Sequence, residues 1–275
     1  MNIVGKRALV LGASRGVGLA IARSLAAHGA RLALPWFDWP ESAVAMAKEF
    51  GGGSGGHLTM QVDLRSIDEV TALIQTIDAQ MNGLDILINN IERGGMPMLH
   101  GGYHREINRE QWQLEMETTL HAKWLVFDQA LPLLRRSPEA VVVNLSSIAG
   151  IVGRSGPTGL LFNDGYSAAN RGVSSLTETW ARLGAPTIRV NEIMLGLIDQ
   201  RHGPGTRGWE LLNQAQRQGL LDHVLLRRTG TPEEVAKAVL FFVQDADYLT
   251  GAVLRMDGGY VLGGEHPSEM PDGVL

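Results

Sequence analysis

Gly5-Lys6-Arg7-Ala8-Leu9-Val10-Leu11-Gly12-Ala13-Ser14-Arg15-Gly16-Val17-Gly18 decides how this chain is read. Ala8 to Leu11 is a short, continuous apolar run, the pattern of a parallel strand buried on both faces. Val17, Leu19, Ala20, Ile21 and Leu25 then recur at helical spacing. Strand, glycine turn and helix, in that order, make a phosphate-cradling unit. Gly12 permits the tight turn, Gly16 lets backbone approach a pyrophosphate, and Gly18 lets helix and strand pack closely. Ser14, Arg15 and Val17 ring the helix N-terminus, whose unpaired N–H groups and partial positive charge attract anions. The spacing is GxxxGxG rather than GxGxxG, and alone it also fits a tight βα turn that binds nothing.

Composition narrows the rest. A chain of 275 residues with 44% hydrophobic content can bury a sizeable core. It has no cysteine, which excludes disulfides, thiolate metal sites and cysteine nucleophiles; no metal site is expected. A net charge of −5 with no basic run argues against nucleic acid. No apolar stretch reaches the roughly 18 residues of a membrane span. The first strand starts close to Met1, so no signal peptide is expected and the location expected is cytoplasmic.

Strand and helix patterns alternate through the whole chain. Strands are expected at Arg31–Leu34, Leu58–Val62, Leu84–Ile88, Ala140–Leu145, Thr187–Ile193 and Ala252–Met256. Helices are expected at Glu41–Phe50, Ile67–Met81, about 108–134, Asp164–Leu183 and Pro232–Val243, with a helical excursion over 199–222. Pro35 to Pro40 is an aromatic loop and Gly51 to Gly56 a flexible connector. The fold class is α/β: a single-domain, doubly wound parallel sheet of Rossmann type over 1–264, with helices on both faces and a polar tail at 265–275. Ligands in such a sheet lie at the C-terminal strand ends. Gly12 to Gly18, Trp36, Asp63, Asn89-Asn90, Ser147 and Leu195-Gly196 sit there.

The ordered motifs identify a family. Gly12-x-x-x-Gly16-x-Gly18, Val62-Asp63-Leu64, Leu84-Asp85-Ile86-Leu87-Ile88-Asn89-Asn90, Asn144-Leu145-Ser146-Ser147, Tyr166-Ser167-Ala168-Ala169, Ile188-Arg189-Val190-Asn191, Pro232-Glu233-Glu234-Val235-Ala236 and Asp257-Gly258-Gly259 follow one another along the chain. In this order they resemble the short-chain dehydrogenase/reductase family over essentially the full length. The resemblance implies an oxidoreductase that moves hydride between a nicotinamide dinucleotide and a carbonyl or hydroxyl substrate. Asp63 would meet the adenine. Leu64, Asn90, Gly196 and Ile198 would complete the cofactor site, Ser147 would orient the substrate oxygen and Tyr166 would exchange its proton. The family also implies a homotetramer or homodimer built on the two long helices.

Four departures matter. The family pattern Tyr-x-x-x-Lys here ends in Asn170, which shares a helix face with Tyr166 but carries no charge. The phenol is therefore expected near its ordinary value of about 10, mostly protonated at neutral pH, which favours carbonyl reduction. Thr119 stands where the family has an asparagine in its water relay. The family's Asn-Asn-Ala-Gly continues here as Ile91-Glu92, and its Pro-Gly after the sixth strand reads Leu195-Gly196. Loss of turnover, leaving a dinucleotide-binding sensor or partner subunit, stays open as the alternative. The lysines are Lys6, Lys48, Lys123 and Lys237. Lys123 falls one turn after Thr119; a surface or interface lysine is the simpler reading and a relocated ammonium the other.

Ser147 and Tyr166 are 19 residues apart, longer than the usual family spacing. Met96, Met98, Leu99, Tyr103, Leu160, Leu161 and Phe162 either line a roomy pocket or pack as ordinary loop residues. Asp38, just past Trp36-Phe37, weighed against Arg15, leans toward NAD(H) and leaves NADP(H) open. Trp36 either stacks on adenine or blocks the pocket.

Overall fold

The computed structural model describes residues 1–51, 56–91, 104–199 and 212–264. Seven parallel strands form one sheet in the order β3-β2-β1-β4-β5-β6-β7. They are β1 (Arg7–Val10), β2 (Arg31–Trp36), β3 (Leu58–Gln61), β4 (Ile86–Asn89), β5 (Ala140–Ser147), β6 (Ile188–Leu195) and β7 (Val253–Met256). The order reverses between β1 and β4, which places the ligand crevice there.

Alternation within each strand splits the core into two layers. Ala8 and Val10 face α1 (Gly16–Ala27), α2 (Pro40–Gly51) and α9 (Pro232–Gln244). Leu9 and Leu11 face α3 (Ile67–Met81), α5 (Ala122–Leu134) and α7 (Asp164–Gly184). A third cluster, around Ile148, Phe162, Tyr166 and Tyr260, lies at the strand ends. Short helices α6 (Ala149–Val152) and α8 (Gln214–His223) flank it.

The sequence places most of these elements within two residues. Ser66 caps α3, accepting from the Glu69 N–H, and Thr231 with Glu234 forms the capping box of α9. Two readings are corrected. β2 runs on through Pro35 to Trp36 instead of giving way to a loop. Its pairing with β1 ends at Ala33, so the N–H that Pro35 lacks is not needed there. The long helix is three pieces: α4 (Glu106–Glu115), a π-helical turn over Met116–His121, then α5. The excursion expected at 199–222 contains α8, while residues 200–211 of it, the tail at 265–275 and most of the 51–56 connector lie outside the described residues.

At the N-terminal ends of the strands, opposite the ligand crevice, Asp85 ties β4 to β1. It is 2% exposed and accepts from the Arg7 N–H at 2.9 Å, Arg7 Nε at 2.7 Å and the Ser137 hydroxyl at 2.6 Å. Burial would raise its pKa, but these donors together hold it at about 2. The stabilisation is therefore complete above the unfolded carboxyl value of about 3.9 and is lost as pH falls toward about 2, a contribution of roughly 2.5 kcal/mol. Urea unfolding of Asp85→Asn should show about 2–3 kcal/mol less stability at neutral pH and a flatter acid limb than wild type. Parallel curves for the two proteins would remove this role.

Candidate active site

The glycine turn is built by contact. Gly12 has φ +64°, and a Cβ there would stand 2.2 Å from the Asn90 carbonyl oxygen. A Cβ on Gly18 would stand 2.1 Å from the Gly12 oxygen and 2.7 Å from Asn90 Nδ2. Asn90 Nδ2 donates to the Leu11 carbonyl at 3.4 Å, so this side chain braces the turn. Arg15 is the extended N-cap of α1 and makes no side-chain cap bond. A turn too tight for side chains at an uncapped helix N-terminus fits the pyrophosphate of a dinucleotide.

Beside it lies an aromatic and basic corner. The Arg15 guanidinium sits 3.8 Å from the Trp39 ring centroid. Arg65 lies 5.4 Å from the Phe37 ring and donates to both oxygens of Asp63, at 2.8 and 2.6 Å. That pairing, led by the Arg65 hydrogen bonds, holds the Asp63 carboxyl below its usual range. Trp36 is half-buried and packs against the core, and Trp39 is the ring on which Arg15 rests. Besides Arg15, which the sequence points to, Arg65, two residues after Asp63, is a second cation in this corner. Leu64 is buried in the core, leaving its backbone for any ligand. Gly196 packs on Asp257, where a Cβ would stand 2.6 Å from the Asp257 Cα, and Ile198 is buried beside it.

Ser147 is the last residue of β5, and Tyr166 lies in the first turn of α7. Asn163 caps that helix by accepting the Tyr166 N–H at 2.7 Å. Ser147 Oγ accepts the Ala149 N–H at 3.1 Å. Tyr166 is 3% exposed. Burial, joined by the charge of Glu115, pushes its phenol well above the ordinary value, against smaller lowering effects of the Ser147 and Asn170 side chains. The expectation of an ordinary phenol is thus corrected upward. Asn170 Nδ2 donates back to the Tyr166 carbonyl at 2.9 Å, while its buried Oδ1 has no partner. Thr119 lies in the π turn and donates to Glu115 at 3.3 Å, with Gln111 donating to the same carboxylate at 2.9 Å. Both Thr119 and Glu115 are fully buried.

Leu161 and Phe162 are buried against Tyr166 rather than lining a roomy pocket, and Leu160 is exposed. Met96, Met98, Leu99 and Tyr103 lie outside the described residues. The loop before α7 is fastened from far along the chain. The Thr158 N–H donates to Tyr260 Oη, and the Tyr260 hydroxyl donates to Thr158 Oγ1, each at 2.9 Å.

Three rows below Ser147, three buried polar residues cross adjacent strands in register: Asn89, Asn144 and Glu192. Asn89 Nδ2 donates to Asn144 at 2.9 Å, and Asn144 Nδ2 donates to Thr177 at 2.8 Å. Glu192 accepts from the hydroxyls of Ser146 and Ser174. Lys123 is buried there too, so its reading as a surface or interface lysine is corrected. Its Nζ donates to the Leu145 carbonyl at 2.7 Å. Burial lowers its pKa to about 7, against the opposing pull of Glu192. Among the described residues no group of metal-ligating side chains gathers and no helix is long and apolar enough to cross a membrane.

A serine and a buried tyrosine at the ends of strand β5 and helix α7, beside a phosphate turn on a parallel sheet, define a nucleotide-dependent oxidoreductase. The family model described as enoyl-(acyl carrier protein) reductase matches residues 12–261. The chain belongs to the short-chain dehydrogenase/reductase family, and it is an oxidoreductase that uses a nicotinamide dinucleotide to reduce a carbonyl. It is 32% identical to the 3-oxoacyl-(acyl-carrier-protein) reductase FabG of Chlamydia trachomatis, over 94% of this chain and 98% of that protein. The FabG proteins of Vibrio cholerae, 31% identical over 94% and 98%, and of Staphylococcus aureus, 30% identical over 92% and 97%, are similar in the same way.

Gly18→Ala tests the turn directly. The added methyl collides with backbone, so NAD(P)H affinity measured by calorimetry should fall at least about tenfold, while the far-ultraviolet circular dichroism stays unchanged. Unaltered affinity would show that the turn does not hold the cofactor.

Proposed function

We propose that Tyr166 donates the proton and Ser147 orients the carbonyl oxygen in a reductase whose substrate is a 3-oxoacyl thioester or a related ketone. The observation that carries this reading is the buried Tyr166, kept protonated by desolvation and by Glu115. A protonated phenol serves reduction and is a poor base for alcohol oxidation. The similarity to relatives named for 3-oxoacyl substrates supports the substrate class.

The nicotinamide dinucleotide, when bound, supplies the hydride. The N-terminus of α1, with Gly12, Ser14, Arg15, Gly16, Val17 and Gly18, would hold its phosphates. Asp63, Leu64 and Asn90 would frame the adenosine half, and Gly196 and Ile198 the other end. The unpartnered Oδ1 of Asn170 suits a sugar hydroxyl donor. Thr119 acts through Glu115 and does not itself reach the reacting atoms in this reading. The lean toward NAD(H) weighed Asp38 against Arg15 alone. Arg65 adds a second guanidinium in that corner and lies within the influence of Asp38, which favours NADP(H) and its 2′-phosphate.

Self-association through the two long helices, as a homodimer or homotetramer, is supported by exposed Trp112 and Trp124 on one and Leu183 on the other. A solution mass by light scattering equal to one chain would end that part of the reading. A cytoplasmic location is consistent with the absence of cysteine.

Loss of NADPH or NADH absorbance is the assay, with 3-oxoacyl thioesters and simple ketones as substrates. Tyr166→Phe should cut kcat by about 10²-fold or more at unchanged cofactor affinity, and NADPH should give the lower KM. A Tyr166→Phe protein as active as wild type would overturn the assignment.

A further inference from the structure

We propose that Lys123, reaching in from α5, supplies the positive charge that answers the negative charge left on Tyr166 when its proton moves to the substrate. This rests on Tyr166 being the proton donor. As the Tyr166 O–H bond breaks and a new O–H bond forms on the substrate oxygen, a phenolate remains in a buried site. Buried charge without an opposing charge is costly, and Glu115 on the facing helix makes the phenolate less favourable still.

Lys123 is the one lysine, arginine or histidine that is buried among the described residues. Its ammonium has a single backbone acceptor, Leu145 O at 2.7 Å, and no carboxylate within ion-pair distance among those residues. Three observations put it under the reacting atoms. Leu145 precedes Ser147 by two residues on β5, about 6.6 Å along the strand, and Asn170 lies about 6 Å, one helical turn, below Tyr166. The ammonium and Asn170 thus share the layer beneath the Ser147–Tyr166 pair. The α4–π–α5 helix and α7 run side by side. A Cβ on Gly165 would stand 2.9 Å from the Trp112 Cα, and one on Gly172 would stand 2.9 Å from Leu120. That offset brings Glu115 close to the level of Tyr166, whose phenol feels its charge, and Lys123 to the level of Ser174 and Ser175, about two turns further along α7. Finally, Asn170 Oδ1 and Glu192 Oε2 are buried acceptors without partners, and Glu192 is the carboxylate that pulls on the Lys123 charge. A lysine kept only as packing would be better replaced by an apolar residue of its size. Lys123 is a positioning residue that acts through the field it sets at Tyr166.

The test is a rescue series measured with NADPH and a 3-oxoacyl thioester. Lys123→Met should lower kcat about 10²-fold while KM for NADPH changes less than about threefold. Adding Asn170→Lys to Lys123→Met should restore kcat to within about tenfold of wild type, because it returns an ammonium to the same layer from the other helix. A purely structural lysine would not be replaced in this way. If Lys123→Met does not fold, Lys123→Gln keeps a donor for Leu145 O without the charge, and the same loss and rescue are expected. Wild-type kcat in a folded Lys123→Met or Lys123→Gln protein, or loss without rescue, overturns the proposal. A wild-type protein without turnover in which Asn170→Lys alone creates activity overturns Lys123 and leaves Tyr166 as donor. One in which neither protein turns over overturns the Tyr166 reading, and this proposal with it.

Discussion

The proton donor proposed here, Tyr166, is buried, and burial of that one phenol shapes much of the surrounding structure. Desolvation keeps its proton in place. It also requires that each neighbouring polar group find a partner inside the protein. The row Asn89–Asn144–Glu192, with Thr177, Ser174 and Ser146, meets most of that demand by hydrogen bonds between strands and α7, leaving Asn89 Oδ1, Asn170 Oδ1 and Glu192 Oε2 without partners. Glycines at 165 and 172 allow α7 to approach α4 and the π turn closely. The two helices therefore enclose a buried polar layer even though the residue one turn after the tyrosine is neutral.

The two ends of the crevice follow different physics. At the glycine turn, proposed for the phosphates, backbone dominates: a turn with no space for side chains and a helix end without a cap. In the corner proposed for the adenosine half, side chains dominate. Guanidinium groups rest on rings, and a carboxylate is held by a guanidinium on its own loop. The first arrangement tolerates almost no substitution. The second can be retuned one residue at a time, which suits a corner that distinguishes one ribose from another.

Local pattern carried the fold because each strand is a short apolar run and each helix has its own start signal, such as Ser66 or Thr231-Pro232. Ser147, Tyr166 and Asn170 came from the resemblance of their motifs to a known family, not from local pattern. What was not legible depends on partners distant in sequence. A π turn has no composition of its own. Pro35 stays in a strand only because β1 has stopped pairing beside it. Lys123 looks like a surface residue by type, and only the approach of α5 to β5 buries it. The phenol of Tyr166 departs from its ordinary value through desolvation, which no motif encodes.

The bond pair between Thr158 and Tyr260 joins residues 102 positions apart. Contacts of such long sequence separation close late, because a large loop entropy must be overcome first. The sheet can thus be paired while the segment in front of Tyr166 is still loose. On a ribosome, the chain would present a complete phosphate turn well before its reaction chamber is sealed, so competence to hold a nucleotide would precede competence to turn it over.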